Sequence, residues 1–93
     1  MQKKESAEMN LIEKLGEYKL RSGYILEYWL TKDGRDLKTK LIYQHRRIIE
    51  EYFGEIPDRW EVHHANNIKS DNRLVNLIPI PKQVHRRLHK NGN

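Results

Sequence analysis

Four of the chain's five histidines lie between positions 63 and 89, and they are the residues best suited to chemistry. Imidazole binds transition metals and gains or loses a proton near neutral pH, so a histidine cluster indicates a metal site or acid–base catalysis. His85 and His89 are four residues apart on an expected helix, so both side chains can reach one ion. A solvated basic helix face would give the same spacing.

His63 and His64 are adjacent at the end of an expected strand. Successive side chains of a strand point to opposite faces, so both can serve one site only where the strand ends. One imidazole of this pair could then join His85 and His89 on a cation, while the other stays unligated as a general base. That division of labour is what metal-assisted phosphodiester hydrolysis requires, because water must lose a proton and the phosphate charge must be offset.

Hydrophobic periodicity and turn residues predict the elements that must position these histidines. Met9, Ile12 and Leu15 recur at helical spacing, and the Asp33-Gly34 pair is typical of a tight hairpin turn. The predicted elements are a helix over Ser6–Tyr18, strands over Tyr24–Leu30 and Leu37–Gln44, a helix over His45–Gly54 with Tyr52 and Phe53 facing inward, strands over Trp60–His64 and Leu77–Ile80, and a helix over Lys82–His89.

The fold class predicted from this order is α+β: an N-terminal helix, a β-hairpin, a helix, and then a strand–strand–helix unit. We expect a helical arm over residues 1–20 and a single domain over 21–93, whose ββα core spans about residues 60–90. His45, at the start of the middle helix, is expected to have a structural role.

Charge and composition limit which binding partners and which cellular compartment we expect. The net charge is +5, which favours a polyanionic partner, although solubility alone would also explain it. The chain has no cysteine, so a transition metal would need His, Asp, Glu or Asn ligands. No apolar run approaches the ~20 residues of a membrane span, and the first residues do not form a signal peptide. We therefore expect a cytoplasmic protein with no membrane partner.

The segment from His63 to His89 resembles the signature of the HNH endonucleases, in their ββα-metal (His-Me finger) form. The matching residues, in order, are His63-His64, Asn72, Asn76-Leu77, His85 and His89. Small phage and mobile-element members of that family are also similar upstream, with an aromatic strand, a turn such as Lys32-Asp33-Gly34, a His45-Arg46 helix start and a Phe53-Gly54 helix end. The loop departs from the usual family pattern, because it has Asn66-Asn67 and Asp71-Asn72.

The resemblance implies a role for each matching residue. His64 would be the general base that activates water, and Asn76 would hold the loop backbone around it. His63 and His85 would bind one divalent metal ion, and His89 would bind the same ion or assist the leaving group. Three imidazoles without a carboxylate favour Zn²⁺, Ni²⁺ or Co²⁺, whereas many family members work with Mg²⁺ or Mn²⁺.

The implied activity is endonucleolytic hydrolysis of DNA that leaves 5′-phosphate and 3′-hydroxyl ends. One site would nick one strand, and two copies paired as a homodimer would cut both. Four cations near the site in sequence could clamp flanking phosphates or only solubilise the surface: Lys69, Arg73, Arg86 and Arg87. The setting would be the cytoplasm of a bacterial or phage-infected host cell.

Two other interpretations fit the same residues. A non-catalytic DNA-binding module could use the histidines as a purely structural metal site, and it would bind DNA without cutting it. A basic scaffold with no metal at all would show no change in melting temperature with EDTA. An unligated histidine beside the ligand set favours the enzyme, because a structural site gains nothing from it.

Overall fold

Two small antiparallel sheets and two helices form the fold of the computed structural model, which describes residues 10–90 and their side chains through residue 88. The α+β class is confirmed. The elements are β1 (Leu11–Lys19), β2 (Ile25–Asp33), β3 (Asp36–Tyr43), α1 (Gln44–Phe53), β4 (Trp60–His64), β5 (Leu77–Pro81) and α2 (Lys82–Lys90). The first three strands form one sheet in the order β1-β2-β3, and β4 pairs with β5 in a second sheet.

The predicted N-terminal helix is wrong over the residues that the structure describes, because Leu11–Lys19 is a strand paired with β2. The Ser6–Met9 part of that prediction lies outside the described residues. The apolar side chains that suggested a helix are not buried, since Ile12 and Leu15 are each about half exposed. Backbone pairing with β2, rather than burial of an apolar helix face, therefore determines the conformation of this segment.

The predicted hairpin is present, with a small shift at its turn. Asp33 pairs with Asp36, so the loop residues are Gly34 and Arg35 rather than Asp33 and Gly34. Gly34 has a φ of 65°, a left-handed conformation that glycine adopts without steric cost. This turn brings β3 back along β2, and β3 leads directly into α1 at Gln44.

Helix α1 contacts both sheets and forms a small apolar core with the second half of the chain. Ile49 is 1% exposed and packs with three buried side chains from the second half of the chain, Ile56, Val62 and Leu77. The helix ends at Gly54, where φ is 91° and the backbone N–H donates to the carbonyl of Glu50. The inward orientation predicted for Tyr52 and Phe53 is wrong, because both side chains are about two-thirds exposed.

The last three elements form the strand–strand–helix unit expected from the sequence. In the β4–β5 pair, His64 lies opposite Leu77 and Trp60 lies opposite Pro81. Pro81 ends β5, and α2 starts at the next residue, so α2 packs back against both strands. No helix within residues 10–90 is long and apolar enough to cross a membrane. The division into an arm over 1–20 and a domain over 21–93 stays a prediction.

Candidate functional site

A cavity of about 280 Å³ lies beside the end of β4. Its lining contains both members of the adjacent histidine pair, although alternate strand residues face opposite sides. Both can border one cavity because β4 ends at His64 and a turn follows at Ala65. The full lining is Tyr24, Val62, His63, His64, Asn67, Lys69 and His85.

His64 is the buried member of the pair, with 5% of its surface exposed. Its Nε2 atom lies 2.7 Å from Oδ1 of Asn72, which is itself buried. Its ring also packs edge-on to His45 and near Tyr24, with centroids 5.2 and 6.1 Å away. The ring is therefore held in one position by a polar contact at Nε2 and by packing.

Asn72 belongs to a chain of hydrogen bonds that crosses the molecule. Its Nδ2 donates to Oε1 of Gln44 at 2.8 Å, and Nε2 of Gln44 donates to Oε2 of Glu27 at 2.9 Å. Glu27 is fully buried, and burial alone would raise its pKa. Hydrogen bonds from Arg47, Trp29 and Gln44 outweigh burial and lower the pKa of Glu27 to about 2, so this carboxylate is ionised at neutral pH.

His63 faces the opposite side of β4, toward α2. Its ring lies edge-on to the ring of His85, with centroids 5.1 Å apart. Nδ1 of His85 lies 2.8 Å from Oε1 of Glu61, which shares a strand face with His63. Metal-binding histidines are commonly oriented by a carboxylate on their other ring nitrogen, so His63, His85 and Glu61 fit a divalent metal with two imidazole ligands and one orienting group.

The third predicted ligand cannot be placed, because the side chain of His89 lies outside the described residues. Among the side chains that are described, no group of three His, Cys, Asp or Glu residues is arranged to hold a metal ion. The described part of the site thus supplies His63 and His85, and the remaining coordination positions would come from His89, water or substrate oxygens.

Asn76 organises the loop between β4 and β5. Its side-chain oxygen accepts from the backbone N–H of Asn66 at 3.0 Å, and its Nδ2 donates to the carbonyl of Asp71 at 2.8 Å and to Oδ1 of Asn66 at 3.0 Å. Asn76 is 5% exposed, so these contacts are shielded from water. They bring the two ends of the loop together beside His64.

Comparison with known proteins identifies this part of the chain. Residues 43–87, just under half of the chain, match a family model described as HNH endonuclease. This segment, which carries the candidate site, matches the HNH endonuclease family. The match begins at the end of β3 and includes α1, β4, β5 and the first turns of α2. No curated protein and no solved structure matches the chain significantly.

The four cations predicted to bind phosphate differ in their surroundings. Lys69 lines the cavity, with its Nζ 5.1 Å from the ring centre of Tyr24. Arg73 is exposed and pairs with Asp71 through two hydrogen bonds of 2.7 and 2.8 Å, which hold the pKa of that carboxyl well below its usual range. Arg86 and Arg87 are exposed on α2.

His45 has a packing role that the sequence suggested only in outline. Its ring lies among those of Tyr24, Tyr43 and His64, at centroid distances of 5.2 to 5.5 Å. Its Nδ1 atom is buried and has no hydrogen-bond partner among the described residues. Burial, with smaller effects from His64 and Arg46, lowers the pKa of His45 to about 4, so the imidazole is neutral at pH 7.

Sequence reasoning missed several side chains of the HNH site. Tyr24 and Asn67 line the cavity, Glu61 contacts His85, and Gln44 and Glu27 extend the contacts of His64. One signal for Glu27 was available, because it is an acidic residue within the otherwise apolar run from Tyr24 to Leu30. Nothing local marked Gln44, whose partners are 17, 27 and 28 residues away.

Proposed function

We propose that this protein is a metal-dependent endonuclease that hydrolyses phosphodiester bonds in DNA. The match of residues 43–87 to the HNH endonuclease family supports a nuclease-type function. One observation carries the proposal: two adjacent imidazoles border the same cavity in different environments. His64 is buried and contacts Asn72 through Nε2. His63 lies on the other face of β4, where its ring is next to that of His85.

In this proposal His64 is the general base. Its ring is fixed by Asn72 and by packing against His45, so the nitrogen that is not bonded to Asn72 can take a proton from a water molecule. That water would attack the phosphorus in line with the leaving 3′ oxygen, which gives 5′-phosphate and 3′-hydroxyl ends. Asn76 supports the step indirectly, because it holds the loop that carries Asn72.

His63, His85 and His89 would hold one divalent cation. Bound there, such an ion supplies positive charge that offsets the charge on the phosphate and on the leaving oxygen. Glu61 would keep the ring of His85 in its binding orientation through Nδ1. Imidazole ligands favour retention of Zn²⁺, and Mg²⁺, Mn²⁺ or Ni²⁺ would be the alternatives that support activity.

Four cations would bind phosphates on either side of the scissile bond: Lys69, Arg73, Arg86 and Arg87. The net charge of +5 supports a polyanionic substrate. One site per chain would nick DNA, and a homodimer would be needed to cut both strands. We place this activity in residues 21–93, in the cytoplasm of a bacterial or phage-infected cell.

Nicking of supercoiled plasmid in the presence of Mg²⁺, Mn²⁺, Ni²⁺ or Zn²⁺ tests the proposal. The His64→Ala variant should lose about 100-fold or more of the rate while keeping its circular dichroism spectrum and its metal content, because only the proton acceptor is removed. Tyr52→Ala, an exposed substitution on α1, is the matched control and should nick at the wild-type rate. DNA ligase should reseal the nicks, since it requires a 5′-phosphate and a 3′-hydroxyl.

Retention of the wild-type rate by His64→Ala would remove the catalytic assignment. Salt-dependent DNA binding without cleavage by any of the four metals would replace the enzyme with a metal-stabilised DNA-binding module. Nicks that ligase cannot reseal would contradict the proposed direction of bond cleavage.

A further inference from the structure

We infer that Gln44 and Glu27 are positioning residues that determine which nitrogen of His64 carries the proton. The inference rests on the proposed role of His64 as general base, and it concerns two residues that lie far from His64 in sequence. A neutral imidazole can be protonated on either ring nitrogen, and only the unprotonated one can accept a proton from water. The hydrogen bonds around His64 select one of these two forms.

The selection starts at Glu27. This side chain is fully buried and receives hydrogen bonds from Trp29, Arg47 and Gln44. An ionised carboxylate has no proton to donate and can only accept. The side-chain atom of Gln44 that faces Glu27 must therefore be the amide nitrogen, and Glu17, 3.1 Å from the same nitrogen, requires the same orientation.

The orientation of the Gln44 amide determines that of Asn72, and Asn72 in turn determines the tautomer of His64. With its nitrogen toward Glu27, Gln44 presents its oxygen to Asn72, so Asn72 must direct its own nitrogen toward Gln44. Asn72 then presents Oδ1 to His64 at 2.7 Å. An amide oxygen accepts only, so Nε2 of His64 must carry the proton and Nδ1 is left as the proton acceptor.

The alternative arrangement shows why Gln44 is needed. Without a partner for its nitrogen, the amide of Asn72 can turn over and offer Nδ2 to the imidazole. His64 would then accept at Nε2 and carry its proton on Nδ1, and neither nitrogen could deprotonate a water molecule. An aspartate at position 72 always offers an acceptor to His64, because both of its terminal atoms are acceptors, although Gln44 must then turn its amide nitrogen toward position 72.

Four proteins test the inference: the full-length wild type, Gln44→Leu, Asn72→Asp and the double variant. Nitrogen-15 NMR at pH 8, where imidazole is ordinarily neutral, reports the His64 tautomer directly. We expect protonation on Nε2 in the wild type, a mixture of the two tautomers in Gln44→Leu, and protonation on Nε2 again in Asn72→Asp and in the double variant. Circular dichroism melting establishes that each protein is folded.

Single-turnover plasmid nicking gives the second measurement. Gln44→Leu should lower the rate by about tenfold relative to wild type, because part of the population has the wrong tautomer. In the Asn72→Asp background the same substitution should change the rate by less than about twofold, since the orientation no longer depends on Gln44. A merely structural role for Gln44 would instead lower the rate equally in both backgrounds.

The results separate this inference from the proposed function. Protonation of wild-type His64 on Nδ1, or an unchanged tautomer in a folded Gln44→Leu variant, would overturn it whether or not the protein cuts DNA. An equal rate loss in both backgrounds would also overturn it. If the tautomers follow the expected pattern and no protein nicks DNA, the positioning by Gln44 stands and the nuclease proposal fails. If Gln44→Leu does not fold, Gln44→Met, which keeps the length of the side chain, replaces it, and an unchanged His64 tautomer in that folded protein would overturn the inference.

Discussion

Asn76 is a buried amide that holds the loop between β4 and β5 in place. It makes three hydrogen bonds within the loop between β4 and β5, two of them with Asn66 and one with the carbonyl of Asp71. Each of these partners would be left partly unsatisfied if the amide were removed. The geometry of the loop around His64 therefore depends on this side chain.

Asn76→Ala should lower the free energy of unfolding by about 2 kcal/mol, because it leaves shielded backbone groups without partners. The neighbouring Val75→Ala is the matched control, since Val75 is 83% exposed and should change stability by less than about 0.5 kcal/mol. Urea unfolding followed by circular dichroism measures both. Equal effects of the two substitutions would show that the hydrogen bonds of Asn76 contribute nothing measurable to stability.

The residues of the site were predictable from sequence to different degrees. Strand geometry alone required His63 and His64 to face opposite sides, and the structure shows them in different environments. Which of the two is buried depends on where Ile49 and Leu77 form the core, and this is a tertiary property. The Glu27–Gln44–Asn72 contacts were not predictable, because they join residues that are distant in sequence.

At the level of elements, β1 is the clearest failure of prediction from sequence. A strand that buries one face normally shows alternating apolar and polar residues, but every β1 side chain after Leu11 is exposed. In β1 the pairing with β2 shifts register twice, between Leu11 and Glu13 and between Lys14 and Gly16. Each irregularity interrupts the two-residue alternation, and the remaining apolar residues then happen to match helical spacing. The hairpin, α1 and the strand–strand–helix unit were predictable because their turn residues and apolar patterns are regular.

Helix α1 carries a titratable group in its first turn, His45, whose pKa is lowered to about 4 mainly by burial. The folded protein binds a proton at this site less readily than the unfolded chain, whose histidine has a pKa near 6.5. The stability associated with a neutral His45 is therefore complete above pH 6.5. It is lost as the pH falls from 6.5 toward 4.

The His45→Phe variant should remove this pH dependence while keeping a ring between Tyr24 and His64. Between pH 7.5 and 4.5 we expect wild type to lose about 2 kcal/mol more unfolding free energy than the variant. Urea unfolding of both proteins at the two pH values measures the difference, and all other histidines are common to both. A constant difference between them at the two pH values would show that His45 does not titrate in this way.

At the scale of the whole molecule, the net charge of +5 predicts DNA binding that weakens with salt. The structure separates the four nearby cations, because Arg73 already pairs with Asp71 through two hydrogen bonds. Lys69→Ala and Arg87→Ala should each reduce the slope of log Kd against log salt by about one. Arg73→Ala should reduce it less.

Fluorescence anisotropy with a labelled duplex measures these slopes over a range of salt concentrations. EDTA is present throughout, and only conditions without observed cleavage are used. A slope change for Arg73→Ala as large as that for Lys69→Ala would show that the ion pair with Asp71 opens when DNA binds. Unchanged slopes in all three variants would place the DNA on another surface of the protein.

The opposite orientation of neighbouring residues in β4 has a consequence for how the length of this strand can change in evolution. Inserting or deleting a single residue ahead of His63 would exchange the two imidazoles, placing the buried one beside α2 and its neighbour against Asn72. Inserting or deleting two residues would keep each imidazole on its own side. Variants of this protein can therefore change the number of β4 residues ahead of His63 by two, but not by one.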